Sequence, residues 1–126
     1  MEVNQHHEEL VNGLYNQLKD IFDSSEQAIY LYLDDTHKVC NEKFAKLLGY
    51  KSTKEWASTQ APLSDVVEED QPSVVKAYGN AMEKMIASDI KIKARNVKTG
   101  KIIKLKVILV PIAYNGHLFA LHFISK

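Results

Sequence analysis

The sequence is poor in the residues that usually announce chemistry. Its 126 residues include one cysteine, Cys40, one tryptophan, Trp56, three prolines and five glycines. A lone cysteine excludes an internal disulfide framework and fits a reducing compartment. Net charge is missing too: sixteen Lys and Arg balance sixteen Asp and Glu, so no field favours nucleic acid or an anionic membrane as partner. Long apolar runs are also missing. The longest, Val107 to Ala113, contains Pro111 and is far too short to span a bilayer. The first ten residues, M-E-V-N-Q-H-H-E-E-L, are acidic and polar where a signal peptide is basic and then apolar. These absences predict one soluble cytoplasmic domain, large enough to bury roughly two-thirds of its unfolded surface.

Catalytic signatures are missing as well. There is no nucleophile elbow, no phosphate-binding glycine loop and no H-E-x-x-H. Cys40 without a neighbouring base reads as a packing residue. His6 and His7 are adjacent and so point to different sides of a helix. His37, His117 and Cys40 are scattered, so no metal site is expected from spacing.

What is present is periodicity. Val11, Leu14, Leu18 and Ile21 recur at helical spacing, with Leu10 and Phe22 widening the stripe, and predict an N-terminal helix over residues 1–23. Ala28 to Leu33 reads as a strand covered on both faces, with Ile29, Leu31 and Leu33 opposed to Tyr30 and Tyr32. Asp34-Asp35-Thr36 is a turn, and His37 to Cys40 a short return strand.

The stretch Asn41 to Tyr50, N-E-K-F-A-K-L-L-G-Y, carries its own start, stripe and stop. Asn41 is an N-cap, Phe44 and Leu48 share a face, and Gly49 suits the left-handed position past the helix end, with Tyr50 folding back. Ser52 to Glu55 has the form of a capping box opening a short helix that carries Trp56. Asp70 is expected to cap a longer helix with Pro72 in its first turn, and Val74, Val75, Tyr78, Met82, Met85 and Ile86 form its stripe.

The last third is β. Asp89 to Val97 alternates, with Lys91, Lys93 and Arg95 along one side in the manner of an edge strand. Turns at Lys98–Lys101 and Asn115-Gly116 join it to Ile102–Ala113 and His117–Ser125. The order predicts an α+β domain with one mainly antiparallel sheet and helices on one face. In the strand from Ile102, Ile103, Leu105, Val107 and Leu109 form the core side. The opposite side turns from lysine to Ile108, Val110 and Ile112. An apolar outer face needs a cover, and the N-terminal helix, or its copy from a second subunit, is expected there.

From about Ser24 onward the chain resembles a PAS domain. The resemblance rests on Asn41, Phe44 and the Leu47-Leu48-Gly49-Tyr50 run, on the acidic V-V-E-E-D-Q-P stretch, and on the terminal hairpin V-P-I-A-Y-N-G-H-L-F-A-L. It departs from the commonest pattern in lacking the glycine of the first hairpin, at Asp35-Thr36, and in having Glu69 where many members carry proline. The resemblance implies a PAS domain over 24–126 with a five-stranded sheet of order 2-1-5-4-3. It also implies a sensory or protein-interaction role in signal transduction, a small ligand held between sheet and helices, and dimerisation through the preceding helix. Partners would then be a second copy, through Val11, Leu14, Leu18, Ile21, Ile108, Val110 and Ile112, and a signalling protein or fused effector domain.

Phe44, Leu48, Trp56, Tyr78, Met82 and Met85 are the expected pocket wall, with Tyr30, Tyr32 and Asn80 as candidate polar groups. The cofactor is unknown. Gln71 to Ser88 contains no histidine for an axial haem bond, His122 in the last strand is an improbable iron ligand, and no N-C-R-F-L-Q segment for a flavin adduct occurs. The expected class is a non-catalytic module. The competing class is a small isomerase- or dehydratase-like enzyme, which would need an Asp/His or Tyr/Asp pair inside the pocket. A dimerisation module with a filled core is a third reading.

Overall fold

The computed structural model describes residues 2–59 and 62–126, with side chains from 5–59 and 63–126. A helix, α1 (Glu2–Ser24), leads into a hairpin of β1 (Ala28–Asp34) and β2 (His37–Cys40). Two short helices follow, α2 (Glu42–Leu47) and α3 (Thr53–Ala57), then two 3-10 turns, Pro62–Asp65 and Glu68–Asp70. The long helix α4 (Gln71–Lys84) precedes the meander β3 (Ser88–Arg95), β4 (Ile102–Tyr114) and β5 (His117–Ser125). The five strands pair in the order β2-β1-β5-β4-β3, every pair antiparallel. The expected α+β sheet with helices is therefore present, and its central strands β1 and β5 are the two whose sequence is apolar on both faces.

Alternation assigns the two faces. Tyr30, Leu105, Val107, Ile92, Ala94 and Ile124 pack inward with Phe44, Leu48 and Trp56. Ile29, Leu31, Phe119 and Leu121 point outward and are buried beneath Leu10, Val11, Leu14 and Phe22 of α1. The cover over the outer face is thus the helix of the same chain. Its buried seam is rotated from the expected one, with Phe22 inside and Ile21 half exposed. Gly13 permits this approach, since a Cβ there would sit 2.4 Å from the hydroxyl of Tyr114.

Strand β4 outruns β3, whose pairing ends at Ser88↔Leu109. Pro111 therefore has a strand neighbour only in β5, opposite Ala120, and its missing N–H interrupts no ladder with β3. The tip of the β4–β5 hairpin reaches the N-terminal half of α1. Asn115 and Gly116 both take positive φ, at 48° and 79°, as a type I′ turn requires.

Asn41 holds the opening motif in place. Its Oδ1 accepts from Phe44 N and from Ile29 N, both at 3.0 Å, while Nδ2 donates to the carbonyls of Phe22 and Gln27. One buried side chain thus joins the end of α1, the start of β1 and the start of α2. At the other end Gly49 has φ 85°, with Asn96 so close that a Cβ would lie 2.3 Å from its Oδ1. Val97 N donates to Leu48 O at 2.8 Å, fastening α2 to the β3–β4 turn.

Three expectations need correction. Ser52 caps α3 through Glu55 N, but Glu55 returns its bond to Lys51 N rather than to Ser52, so the box is not reciprocal. Asp70 makes no side-chain cap to α4, because its Oδ2 instead accepts from Lys93 N at 2.7 Å and pins the edge strand. Helix α4 stops at Lys84, since Met85 takes a left-handed φ of 56°. Met85 and Ile86 therefore leave the helical stripe and are exposed, as is Val75.

Candidate functional site

Between the inner face of the sheet and the helices lies a cavity of about 280 Å³. Its apolar wall comes from Phe44 of α2 and Leu48 at that helix's C-terminal cap, Val74 and Tyr78 of α4, and inward residues of β3, β4 and β5. Of the expected pocket residues, Phe44, Leu48 and Tyr78 line it. Trp56 is fully buried one layer behind, edge-on to Phe44 at 5.2 Å between ring centres. Met82 packs beside Ala77 and Ala81, and Met85 stands at the surface, so neither reaches the cavity. Tyr30 and Tyr32 line it as polar candidates, and Asn80 does not.

The polar groups at the cavity also include two that sequence spacing did not single out. Asp65, on the first 3-10 turn, is buried and accepts from the Tyr50 hydroxyl at 2.5 Å. Burial raises the Asp65 carboxyl above its usual range against the opposing hydrogen bond, and burial likewise raises the Tyr50 phenol. His122 is buried on β5, stacked on Tyr30 with ring centres 3.8 Å apart and planes 13° from parallel. Burial pushes its pKa down to about 3, against weaker raising by the carbonyls of Ala120 and Tyr30. Its Nδ1 has no hydrogen-bond partner among the described residues. Tyr32 donates to Asp35 Oδ1 at 2.5 Å at the cavity edge, and burial raises its phenol too.

A buried lysine braces the rim. Lys38 Nζ donates to the carbonyls of Asp35, Ala57 and Thr59 and lies 5.3 Å from the Trp56 ring centre. Burial lowers its pKa, and the three acceptors occupy its donors. Cys40 is buried, and burial pushes its thiol up to about 12, as suits a packing residue rather than a thiolate.

On the outer face Val11 and Leu14 are buried in the chain's own core and Leu18 partly so, whereas Ile21 and Ile108 are about half exposed. Val110 and Ile112 are intermediate. Among the described residues no helix is long and apolar enough to cross a membrane.

No family model matches the sequence, and no curated protein is significantly similar to it. Solved structures do match in fold. The PAS domain of an HTR-like protein from Haloarcula marismortui superposes with a TM-score of 0.67 at 15% identity, over 96% of this chain and 98% of that one. A PAS domain from Colwellia psychrerythraea gives 0.66 at 21% identity, covering 90% and 96%. The PAS domain of the fruit-fly ELK potassium channel gives 0.68 at 17% identity, covering 88% and 94%. Sheet order, helix placement and these superpositions agree, and the fold of this chain is that of a PAS domain.

Proposed function

We propose that the chain is a sensory or protein-interaction module of signal transduction, without catalytic activity, that takes a small ligand between sheet and helices. The observation that carries this reading is the cavity itself, apolar over most of its wall, with Asp65, Tyr30 and the His122 Nδ1, unpartnered among the described residues, as polar points. A pocket of this size and character suits a small, mostly apolar molecule with one hydrogen-bonding group. A PAS domain from a two-component sensor histidine kinase has the same fold, which supports a signalling role coupled to a fused effector or a separate partner in the cytoplasm.

Strand alternation supplies a route for the signal. On β1, Tyr30 and Tyr32 face the cavity while Ile29 and Leu31 face α1. On β5, His122 faces inward between Leu121 and Phe123. A ligand that moves β1 or β5 therefore changes the bed on which α1 lies. Dimerisation in this reading uses what the intrachain packing leaves open, Ile21, Ile108 and Val110 with the flank of Leu18 and Ile112. Native mass spectrometry of protein purified without added ligand is the test. A retained small molecule, or saturable binding from a library of small aromatic and alicyclic compounds, is expected. A cavity that retains nothing and binds no library member overturns the ligand reading.

A second reading has one observation in its favour. Asp65 and Tyr50 form a Tyr/Asp pair at the cavity with a raised carboxyl pKa, the kind of group that proton-transfer enzymes use. Turnover of any ligand found in the cavity, abolished by Asp65→Asn, would favour the enzyme over the sensor.

A further inference from the structure

Four of the five histidines cluster together in the fold, and two of them bond one carboxylate. His7 on α1, Asp34 at the end of β1, His37 at the start of β2 and His117 at the start of β5 come from four different elements. The Nδ1 of His7 donates to Asp34 Oδ2 at 2.8 Å, and the Nδ1 of His37 to Asp34 Oδ1 at 2.6 Å. The ring centres of His7 and His37 are 5.5 Å apart and nearly perpendicular, and His117 lies 5.8 Å from His7. His6 packs edge-on to His117 at 5.1 Å. From this geometry we infer that His7, Asp34 and His37 form a binding site for a divalent transition metal of the zinc class, with His117 at its border, which clamps α1 to the sheet.

Donor chemistry selects the metal. Imidazoles with a carboxylate suit Zn²⁺, Co²⁺, Ni²⁺ or Cu²⁺, whereas Ca²⁺ and Mg²⁺ require oxygen shells. Spacing fits as well. Donor atoms of His7, Asp34 and His37 all lie within 4.8 Å of one another, and donors about 2.1 Å from a tetrahedral Zn²⁺ are roughly 3.4 Å apart.

The surroundings are prepared for it. His117 Nδ1 lies 3.2 Å from the carbonyl of Asn115, a bond that puts its proton on Nδ1 and leaves Nε2 as a lone pair, the usual orientation of a ligating imidazole. Thr36 donates to Asp34 Oδ1 through both N and Oγ1, fixing the carboxylate. The site is only partly buried, with His7 25% and Asp34 38% exposed at the side chain, so an ion can enter. The other histidine, His122, and Cys40 are both buried in the core and cannot compete.

The proposal is independent of any cavity ligand. The whole chain is titrated with Zn²⁺ against a chromogenic chelator, and with Co²⁺ by visible absorption. One ion per chain is expected, with tetrahedral Co²⁺ bands, no thiolate charge-transfer band, a raised Tm and slower hydrogen exchange in α1. Mg²⁺ and Ca²⁺ are expected to produce none of these. His37→Gln and Asp34→Asn are each expected to weaken Zn²⁺ at least tenfold. His7→Gln changes a partly exposed helical residue, so it tests the site in a folded protein. Its expected result is loss of affinity together with loss of the metal-dependent protection of α1. The proposal is overturned if the chain takes up no Zn²⁺ at one per chain, or if folded His7→Gln binds with wild-type affinity.

Discussion

The hydroxyl of Tyr50 donates to Asp65 Oδ2 at 2.5 Å, joining the residue that ends the α2 motif to the turn that walls the cavity. The bond spans fifteen residues and carries a buried carboxylate, so it couples the fold's most recognisable segment to its candidate site.

Breaking that bond by Tyr50→Phe leaves Asp65 buried without its donor and should cost about 1.5–3 kcal/mol. It should also raise the Asp65 carboxyl further, because the hydrogen bond lowers it. With the folded pKa raised, Asp65's stabilising contribution is fully present below the unfolded carboxyl value and is lost as pH rises through the folded one. Urea unfolding with carboxyl carbon NMR titration measures both effects. An unmoved Asp65 titration would show that the bond does not exist in solution.

His122 sets the opposite slope. A histidine held neutral down to about pH 3, against about 6.5 when unfolded, contributes stability above pH 6.5 that is lost as pH falls toward 3. No Lys or Arg lines its cavity, and the acids that do are Asp35 and Asp65, with the phenols of Tyr30, Tyr32 and Tyr78. Between pH 7 and pH 5 this loss is about 2 kcal/mol, at 1.36 kcal/mol per unit. His122→Phe keeps a ring against Tyr30 and should flatten that part of the stability profile. Equal slopes for the two proteins would refute the assignment.

Much of this architecture is written in short-range patterns, and the rest is not. Alternation in β1, β4 and β5, the Asn115-Gly116 turn and the Asn41 to Tyr50 motif are local, so their residue types alone select the conformation. The end of α4 is not legible in the sequence, because helical spacing continues through Met85 and Ile86 while the left-handed backbone at Met85 ends the helix. Asp65 reads in sequence as one acid in a polar connector, and His122 as one residue of a two-faced strand. Sheet register places His122 at the cavity, and the Tyr50 bond with the bridge between Val66 and Ala94 places Asp65. The histidine cluster shows the same limit, since His7, His37 and His117 are distant in sequence and are brought together by α1 lying across two hairpin ends.

Asn41→Ala should destabilise the protein by roughly 3 kcal/mol, because it removes an N-cap and strands a buried donor at Ile29 and carbonyls at Phe22 and Gln27. Asn41→Asp retains the acceptor but loses both donors, and should be weaker than wild type at neutral pH. Denaturant midpoints decide it. A cost under 0.5 kcal/mol for the alanine variant would contradict the four-bond role.

Val107→Phe projects a ring into the cavity from β4. It should abolish ligand uptake while changing stability by less than about 1 kcal/mol, because the added volume fills space already present. Calorimetry with whichever compound the library identifies reads the first effect, and unchanged affinity would place that compound elsewhere.

Ile108→Lys puts a charge on a half-exposed outer-face position. If the dimer uses that face, mass measurement by light scattering at tens of micromolar should shift from two chains to one, with Tm nearly unchanged. A persistent dimer would move the interface elsewhere.

Trp56 is the sole indole of the chain. It is fully buried, with its Nε1 unpartnered among the described residues, the Lys38 ammonium over its ring and Phe44 edge-on. Phe44 and Tyr30 are also walls of the cavity, so one layer of aromatic rings separates the cavity from the fluorophore. The protein thereby carries its own optical gauge. Emission should lie at short wavelength, and its intensity should change as Phe44 moves or the Lys38 charge shifts, reporting cavity occupancy without any attached dye.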